Sequence, residues 1–209
     1  KAAFDDAKAA VETEIRERAA AKLAFDTAFA AARAKIEAVA AFDAAKFDRA
    51  TSHGDMVAAV KGATDLLAQC TSAASKDEHV AAATAIADWI KDEATYTALP
   101  AKLTGELKTE LQDAYDGIKA WFEELTELDF SSYSPADVQI MTPLQDAIKQ
   151  DRKNIEAVLA GEDVEKIVEM IDALDDIESR GDAFDAADDK AKRKALDAEL
   201  ADKKIPADQ

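Results

Sequence analysis

The sequence is poor in the residues that break a chain or staple it. Among 209 residues there are six Gly, four Pro, two His and one Cys, and aromatics make up 6%. So few Gly and Pro leave little opportunity for the tight turns of a sheet protein, which points away from β architecture. A lone cysteine, Cys70, can form no intramolecular disulfide and excludes a disulfide scaffold. The longest stretch without a charged side chain runs from Leu66 to Ser75, about half of the roughly 20 apolar residues that cross a bilayer. No basic segment followed by an apolar run opens the sequence, which fits an imported protein whose targeting peptide has been removed and fits a trimmed chain equally.

Hydrophobic residues (48%) and acidic side chains are abundant. With 44 acidic against 26 basic groups the formal charge is −18, a field that repels phosphate backbones and argues against a nucleic-acid partner. The excess is uneven. Residues 1–50 hold nine charges of each sign, so residues 51–209 carry all of the −18. This divides the chain into a neutral arm at 1–50, an acidic helical bundle at 51–202 and a frayed tail at 203–209.

The arm has no Gly or Pro before Gly54 and is dominated by Ala, the best helix former. It reads as one helix of up to about 48 residues, roughly 70 Å long. Its large apolar residues, Phe4, Val11, Ile15, Phe25, Phe29, Ile36 and Val39, follow a heptad seam. Arg18 and Lys22 interrupt that seam, while Leu23, Phe42 and Phe47 fall off it. The helix therefore either breaks near Arg18–Lys22 and folds back, or lies partly against another protein.

Beyond Gly54 the chain reads as a series of amphipathic helices. Met56, Val60, Ala63, Leu67 and Cys70 form one apolar face, with Cys70 as a small core residue. A second helix starts at the capping box Ser75–Glu78 and stops at Leu99–Pro100. A third carries Leu103, Leu107, Leu111, Ala114, Ile118, Trp121, Leu125 and Leu128, flanked by Tyr115 and Phe122. After a connector at 130–134, Ser134–Pro135 and Thr142–Pro143 look like two successive helix starts, with a change of direction at Pro143. Gly161 is expected as a left-handed cap and the short 161–163 link as the turn of an antiparallel hairpin. A further helix is expected to end at Gly181. The fold class is thus all-α, a long N-terminal helix followed by an antiparallel multi-helix bundle.

Catalytic and metal chemistry find little support. The residues three before His53 and His79 are Ala50 and Lys76, so the Glu-x-x-His pairs of a di-iron bundle are missing. No His-x-x-x-His spacing, Gly-rich phosphate loop, nucleophile elbow or EF-hand occurs. His53 is expected in a loop and His79 on a solvated first helical turn. No cofactor, no metal and no enzyme activity are expected. The acidic run from Glu162 to Glu178 reads as a solvated face or as a docking surface for a basic partner. Lys190, Lys192, Arg193 and Lys194 are expected to pair with nearby Asp188 and Asp189.

The connector Phe130-Ser131-Ser132-Tyr133-Ser134-Pro135-Ala136-Asp137-Val138, leading to Pro143, resembles the end of subunit d of the mitochondrial ATP synthase. In that family a long helix is followed by Phe, then Thr or Ser four residues on, an acidic-hydrophobic pair, and Pro after another short helix. Phe130, Ser134, Asp137, Val138 and Pro143 occupy those places, although this chain continues 66 residues past Pro143. The resemblance implies a non-catalytic peripheral-stalk subunit, mitochondrial and held at the inner membrane through its partners. Without it, a soluble protein of a reducing compartment is expected.

The leading functional expectation is a helical structural subunit of a larger assembly, partnered by other protein subunits. A free-standing acidic adaptor or ligand-binding bundle is the alternative. Partner contacts are expected at Phe4, Val11, Ile15, Phe25, Phe29 and Ile36 of the arm and at Phe130 and Tyr133 of the connector.

Overall fold

A computed structural model describes residues 1–203. Among these residues there are six α-helices and no strand: α1 (Ala2–Ala40), α2 (His53–Ser72), α3 (Lys76–Glu127), α4 (Pro135–Ala160), α5 (Val164–Asp172) and α6 (Leu174–Lys203). A 3₁₀ turn, Ala44–Phe47, follows α1. The expected frayed tail lies outside the described residues apart from Lys203, the last residue of α6. The chain forms two compact units, Lys1–Gly105 and Glu106–Gln209, divided within α3. Compactness thus divides the chain within α3, whereas the charge division lies near residue 50. All of α1 belongs to the first unit, and Phe25, Ala32, Ile36 and Val39 complete its core. Counted by unit, the charge is −3 over residues 1–105 and −15 over residues 106–209.

In the first unit the chain runs up, down and up. Asp55 of α2 meets Lys102 of α3 (3.3 Å) while α1 pairs along α3 in the same direction, Lys76 bonding Glu14 (3.3 Å) and Glu17, and Lys35 bonding Glu93 (2.8 Å). The α1 helix is continuous through Arg18 and Lys22, so of the two alternatives for the arm the break and fold-back does not occur. It ends at Ala40 rather than near residue 48. Phe42 and Phe47 lie off the seam, and leaving the helix lets Phe47 and Ala50 reach the core. The α2 core face is Met56, Ala59, Ala63, Leu66 and Cys70. The capping box forms as expected: the Glu78 carboxylate accepts from the backbone N–H groups of Ser75 (2.8 Å) and Ala74 (2.9 Å), and Glu78 N–H reaches Ser75 Oγ (3.3 Å).

Pro100 does not stop its helix. Proline removes one donor and crowds the preceding turn, a cost of about 3 kcal/mol or more in a helix interior. Leu99, Leu103 and Leu107 nevertheless form a buried stripe across it, and each alone is worth up to about 3 kcal/mol of burial. The two expected helices are therefore one of 52 residues.

The second unit repeats the up-down-up order with the end of α3, α4 and α6. Arg180–Asp151 (2.7 Å) and Lys194–Asp137 (3.7 Å) pair α6 antiparallel to α4, and Arg152–Glu123 (3.2 Å) with Tyr115 donating to Glu156 (3.0 Å) pairs α4 antiparallel to α3. Its core joins Leu107, Leu111, Tyr115, Ile118, Phe122 and Leu125 to Met141, Ile148, Ile155, Ile167, Ile177 and Phe184. Buried Gln145 donates to the carbonyls of Leu125 (3.0 Å) and Leu128 (3.2 Å), supplying partners for acceptors at the end of α3.

Ser134 caps α4 as expected, accepting from Asp137 N–H (3.3 Å). Thr142 does not start a new helix. Its hydroxyl donates back to Val138 O (2.8 Å), and Pro143 sits inside α4 because Met141, Gln145 and Ile148 bury one continuous face. Gly161 ends α4 at φ −87°, not in the left-handed region. Gly181 terminates nothing: it lies within α6 beneath the Trp121 indole, where a side chain would collide with the ring.

Candidate interaction surface

The α1 seam continues past the part that its own unit covers. Successive steps of four and three place Phe4, Lys8, Val11, Ile15, Arg18, Lys22, Phe25, Phe29, Ala32, Ile36 and Val39 on one face. From Phe25 onward that face is core: Phe25, Ala32, Ile36 and Val39 are buried, and Phe29 is half-buried with its ring stacked on Phe25 at 5.7 Å. Phe25 also meets the His79 ring at 5.2 Å. His79 is thus buried rather than solvated, because α1 lies over the first turn of α3. His53 is the first residue of α2, not a loop residue.

Before Phe25 the seam is open. Phe4, Val11 and Ile15 are 73%, 58% and 60% exposed. Its cations are held by neighbours on the same helix: Lys8 by Glu12 (3.7 Å), Arg18 by Glu14 (2.8 Å) and Lys22 by Asp26 (2.6 Å). Arg18 and Lys76 both hydrogen-bond Glu14 and hold its carboxyl below the ordinary value. Of the residues expected to touch a partner, Phe4, Val11 and Ile15 thus form an accessible stripe, whereas Phe25, Phe29 and Ile36 pack internally.

Phe130 and Tyr133 also face inward. Phe130 packs against Phe184 (6.3 Å between rings) and edge-on to Tyr133 (5.9 Å). The Tyr133 hydroxyl donates to buried Asp188, which also accepts from Lys192 (2.7 Å). Desolvation, then this bond to a carboxylate, pushes the Tyr133 phenol above its usual value. These two rings fasten the connector to α6.

Other polar features have local roles. The acidic side chains at 162–178 are exposed; Glu162 pairs with Lys108 (2.7 Å), and Asp163 caps α5 and pairs with Lys166 (3.0 Å). Among the described residues, no group of three His, Cys, Asp or Glu side chains is placed to hold a metal ion, and no helix is long and apolar enough to cross a membrane. Cys70 is buried, and desolvation raises its thiol pKa. Lys192 pairs with Asp188 as expected, while Lys194 reaches Asp137 instead.

One feature escapes sequence reading. A groove of about 520 Å³ lies between α2 and α3, lined by Ala58, Ala59, Gly62, Trp89, Tyr96 and Leu99, with Asp55 and Lys102 among its polar groups. The buried Trp89 indole N–H has no hydrogen-bond partner among the described residues. The signal would have been the small residues Ala58, Ala59 and Gly62 together on one face of α2, and an Ala-rich chain hides it.

Comparison with family models, with curated proteins and with solved structures gives no match. The class defined by the fold is an all-α protein of two helical units that share one long helix.

Proposed function

We propose that the protein is a non-catalytic helical subunit of a larger protein assembly and binds a partner through the N-terminal half of α1. The observation that carries this reading is the open stretch of the seam: Phe4, Val11 and Ile15 continue, on the same face, the row that α2 and α3 bury from Phe25 onward. Isolated exposed apolar residues are ordinary, but apolar residues left uncovered at seam spacing, in line with a buried row, mark an interface. The test is affinity purification from the native source of the wild-type chain beside a Val11→Glu, Ile15→Glu variant. Both substituted positions are exposed, so the fold is retained. A stoichiometric partner held by the wild type and lost from the variant supports the reading; a partner set that the substitutions leave unchanged refutes it. The narrower form, a peripheral-stalk subunit of a mitochondrial ATP synthase, is supported by the resemblance at Phe130–Pro143. Comigration of the chain with the intact synthase, one copy per stalk, tests it.

A second reading, a ligand-binding helical protein, is favoured by the groove beside Trp89. Its volume of about 520 Å³ lies within the roughly 300–1,000 Å³ of small-molecule sites. A neutral aromatic ketone such as prodan is a suitable probe. Saturable binding abolished by Gly62→Leu supports this reading, since nothing stands within 4 Å of a Cβ placed at Gly62 and the new side chain would enter open space. Binding that ignores the substitution sinks it.

A further inference from the structure

Resting on the reading of α1 as a docking helix, we infer the chemistry of its partner: a separate amphipathic helix whose apolar seam carries Asp or Glu opposite Lys8, Arg18 and Lys22. The inference begins with register. In the open stretch the seam reads Phe4, Lys8, Val11, Ile15, Arg18, Lys22, three apolar layers and three cationic ones. A partner helix must fill both kinds. Leu or Ile opposite Phe4, Val11 and Ile15 removes exposed apolar surface from water. Opposite the cations, an apolar residue would desolvate charge with only a weak same-helix pair to offset the cost, and Lys or Arg would add repulsion, whereas a carboxylate answers them.

The same register argues against a second copy of this chain as the occupant. Parallel, in-register pairing sets Lys8, Arg18 and Lys22 each against its own copy. Antiparallel pairing centred between Val11 and Ile15 sets Lys8 against Arg18 twice. The flanks add to this, because the seam is bordered by Asp5, Glu12, Glu14 and Asp26, and two such borders repel. Charged seam residues of this kind choose the partner at some cost in affinity. The cations keep their same-helix carboxylates at 2.6–3.7 Å while the seam is open, at side-chain exposures of 60–69%. Such exposed pairs are weak and exchange readily with an incoming carboxylate.

The test uses the whole chain and synthetic helical peptides of about 25 residues with neutral flanks. Each has Leu opposite the three apolar positions and either Glu or Lys opposite the three cations, written in both chain directions. The expected result is that one Glu peptide binds about tenfold or more tighter than either Lys peptide, by fluorescence anisotropy at low salt, and that 1 M NaCl erodes the difference. A Lys8→Glu, Arg18→Glu, Lys22→Glu chain should reverse the preference, and the corresponding Gln chain should abolish it, which guards against loss of helix in the first variant. If Glu and Lys peptides bind the wild type equally, and binding is lost in the Val11→Glu, Ile15→Glu chain, the charge inference fails while the docking reading stands. If no peptide binds, both fail. Self-association of the wild-type chain through α1, abolished by Ile15→Glu, overturns the choice of a separate partner.

Discussion

Replacing Gly181 by Ala isolates one close approach in the second unit. In a helix interior Gly→Ala gains about 1 kcal/mol from backbone entropy. Gly117, on α3, meets nothing within 4 Å of an added Cβ, so Gly117→Ala should keep that gain. At Gly181 the same Cβ would sit 2.7 Å from Trp121 Cζ2 and 2.9 Å from Cζ3, and it also collides with Cη2. The indole cannot swing away freely, because its Nε1 donates to Asp185 (2.8 Å) and its ring packs on Phe122 at 5.1 Å. Overpacking of this kind costs about 1–3 kcal/mol. Gly181→Ala should therefore be neutral to about 2 kcal/mol destabilising, and about 1–3 kcal/mol below Gly117→Ala, since the helical term is common to both. For a chain of this length each kcal/mol moves the midpoint by about 2–4 °C. All three colliding atoms belong to the six-membered ring of the indole. In a Trp121→Phe background they are gone, and Gly181→Ala should become stabilising. Thermal and urea unfolding followed by circular dichroism at 222 nm would measure this double-mutant cycle. Equal effects of the two glycine substitutions in the wild type, or an effect of Gly181→Ala unchanged by Trp121→Phe, would refute the reasoning.

Three further outcomes are expected. Backbone N–H bonds from Ala74 and Ser75 hold the Glu78 carboxyl below its ordinary value of 4.5. Its stabilising effect is thus complete above the unfolded-state value and disappears as pH falls through the lower folded one; Glu78→Gln should flatten the stability–pH profile as pH falls below 4.5, and an unchanged profile would exclude the effect. The Tyr115 and Tyr133 phenols are both raised above 10, chiefly by desolvation, so the stability held by their neutral forms is lost as pH rises from 10 through the folded values. Absorbance at 295 nm should show at least two tyrosines ionising later in the folded than in the unfolded chain. Buried Cys70, its thiol pKa raised by desolvation, should resist a disulfide-exchange reagent until denaturant is added and then release one equivalent; prompt labelling of folded protein would place it at the surface.

Signals confined to one helical turn were legible in the sequence. The Ser75–Glu78 box and the Ser134 cap each need only four residues, and both form. Pro100, Pro143 and Gly181 misled because their meaning depends on distant packing: Leu99, Leu103 and Leu107 carry the helix past one proline, Met141 and Ile148 past another, and the reason for Gly181 is an indole on α3. The α1 seam is readable as a periodicity. Which half of it is covered is not, because that depends on where α2 and α3 lie, and periodicity alone groups Phe25, Phe29 and Ile36 with Phe4, Val11 and Ile15. The burial of His79 is hidden from the sequence for the same reason, its cover being Phe25 of α1.

The division of the chain inside α3 bears on how it can move. Most boundaries between compact units are exposed linkers, which bend freely and are cut readily by proteases. Here the boundary falls at Gly105, within a hydrogen-bonded helix and five residues after Pro100. These are the two residue types least suited to a helix interior, placed together where the units meet in sequence. Any opening at this point is therefore a melting equilibrium rather than the bending of slack chain. Opening requires helical turns to be broken, so cleavage near Gly105 becomes a measure of local unfolding that temperature and denaturant control.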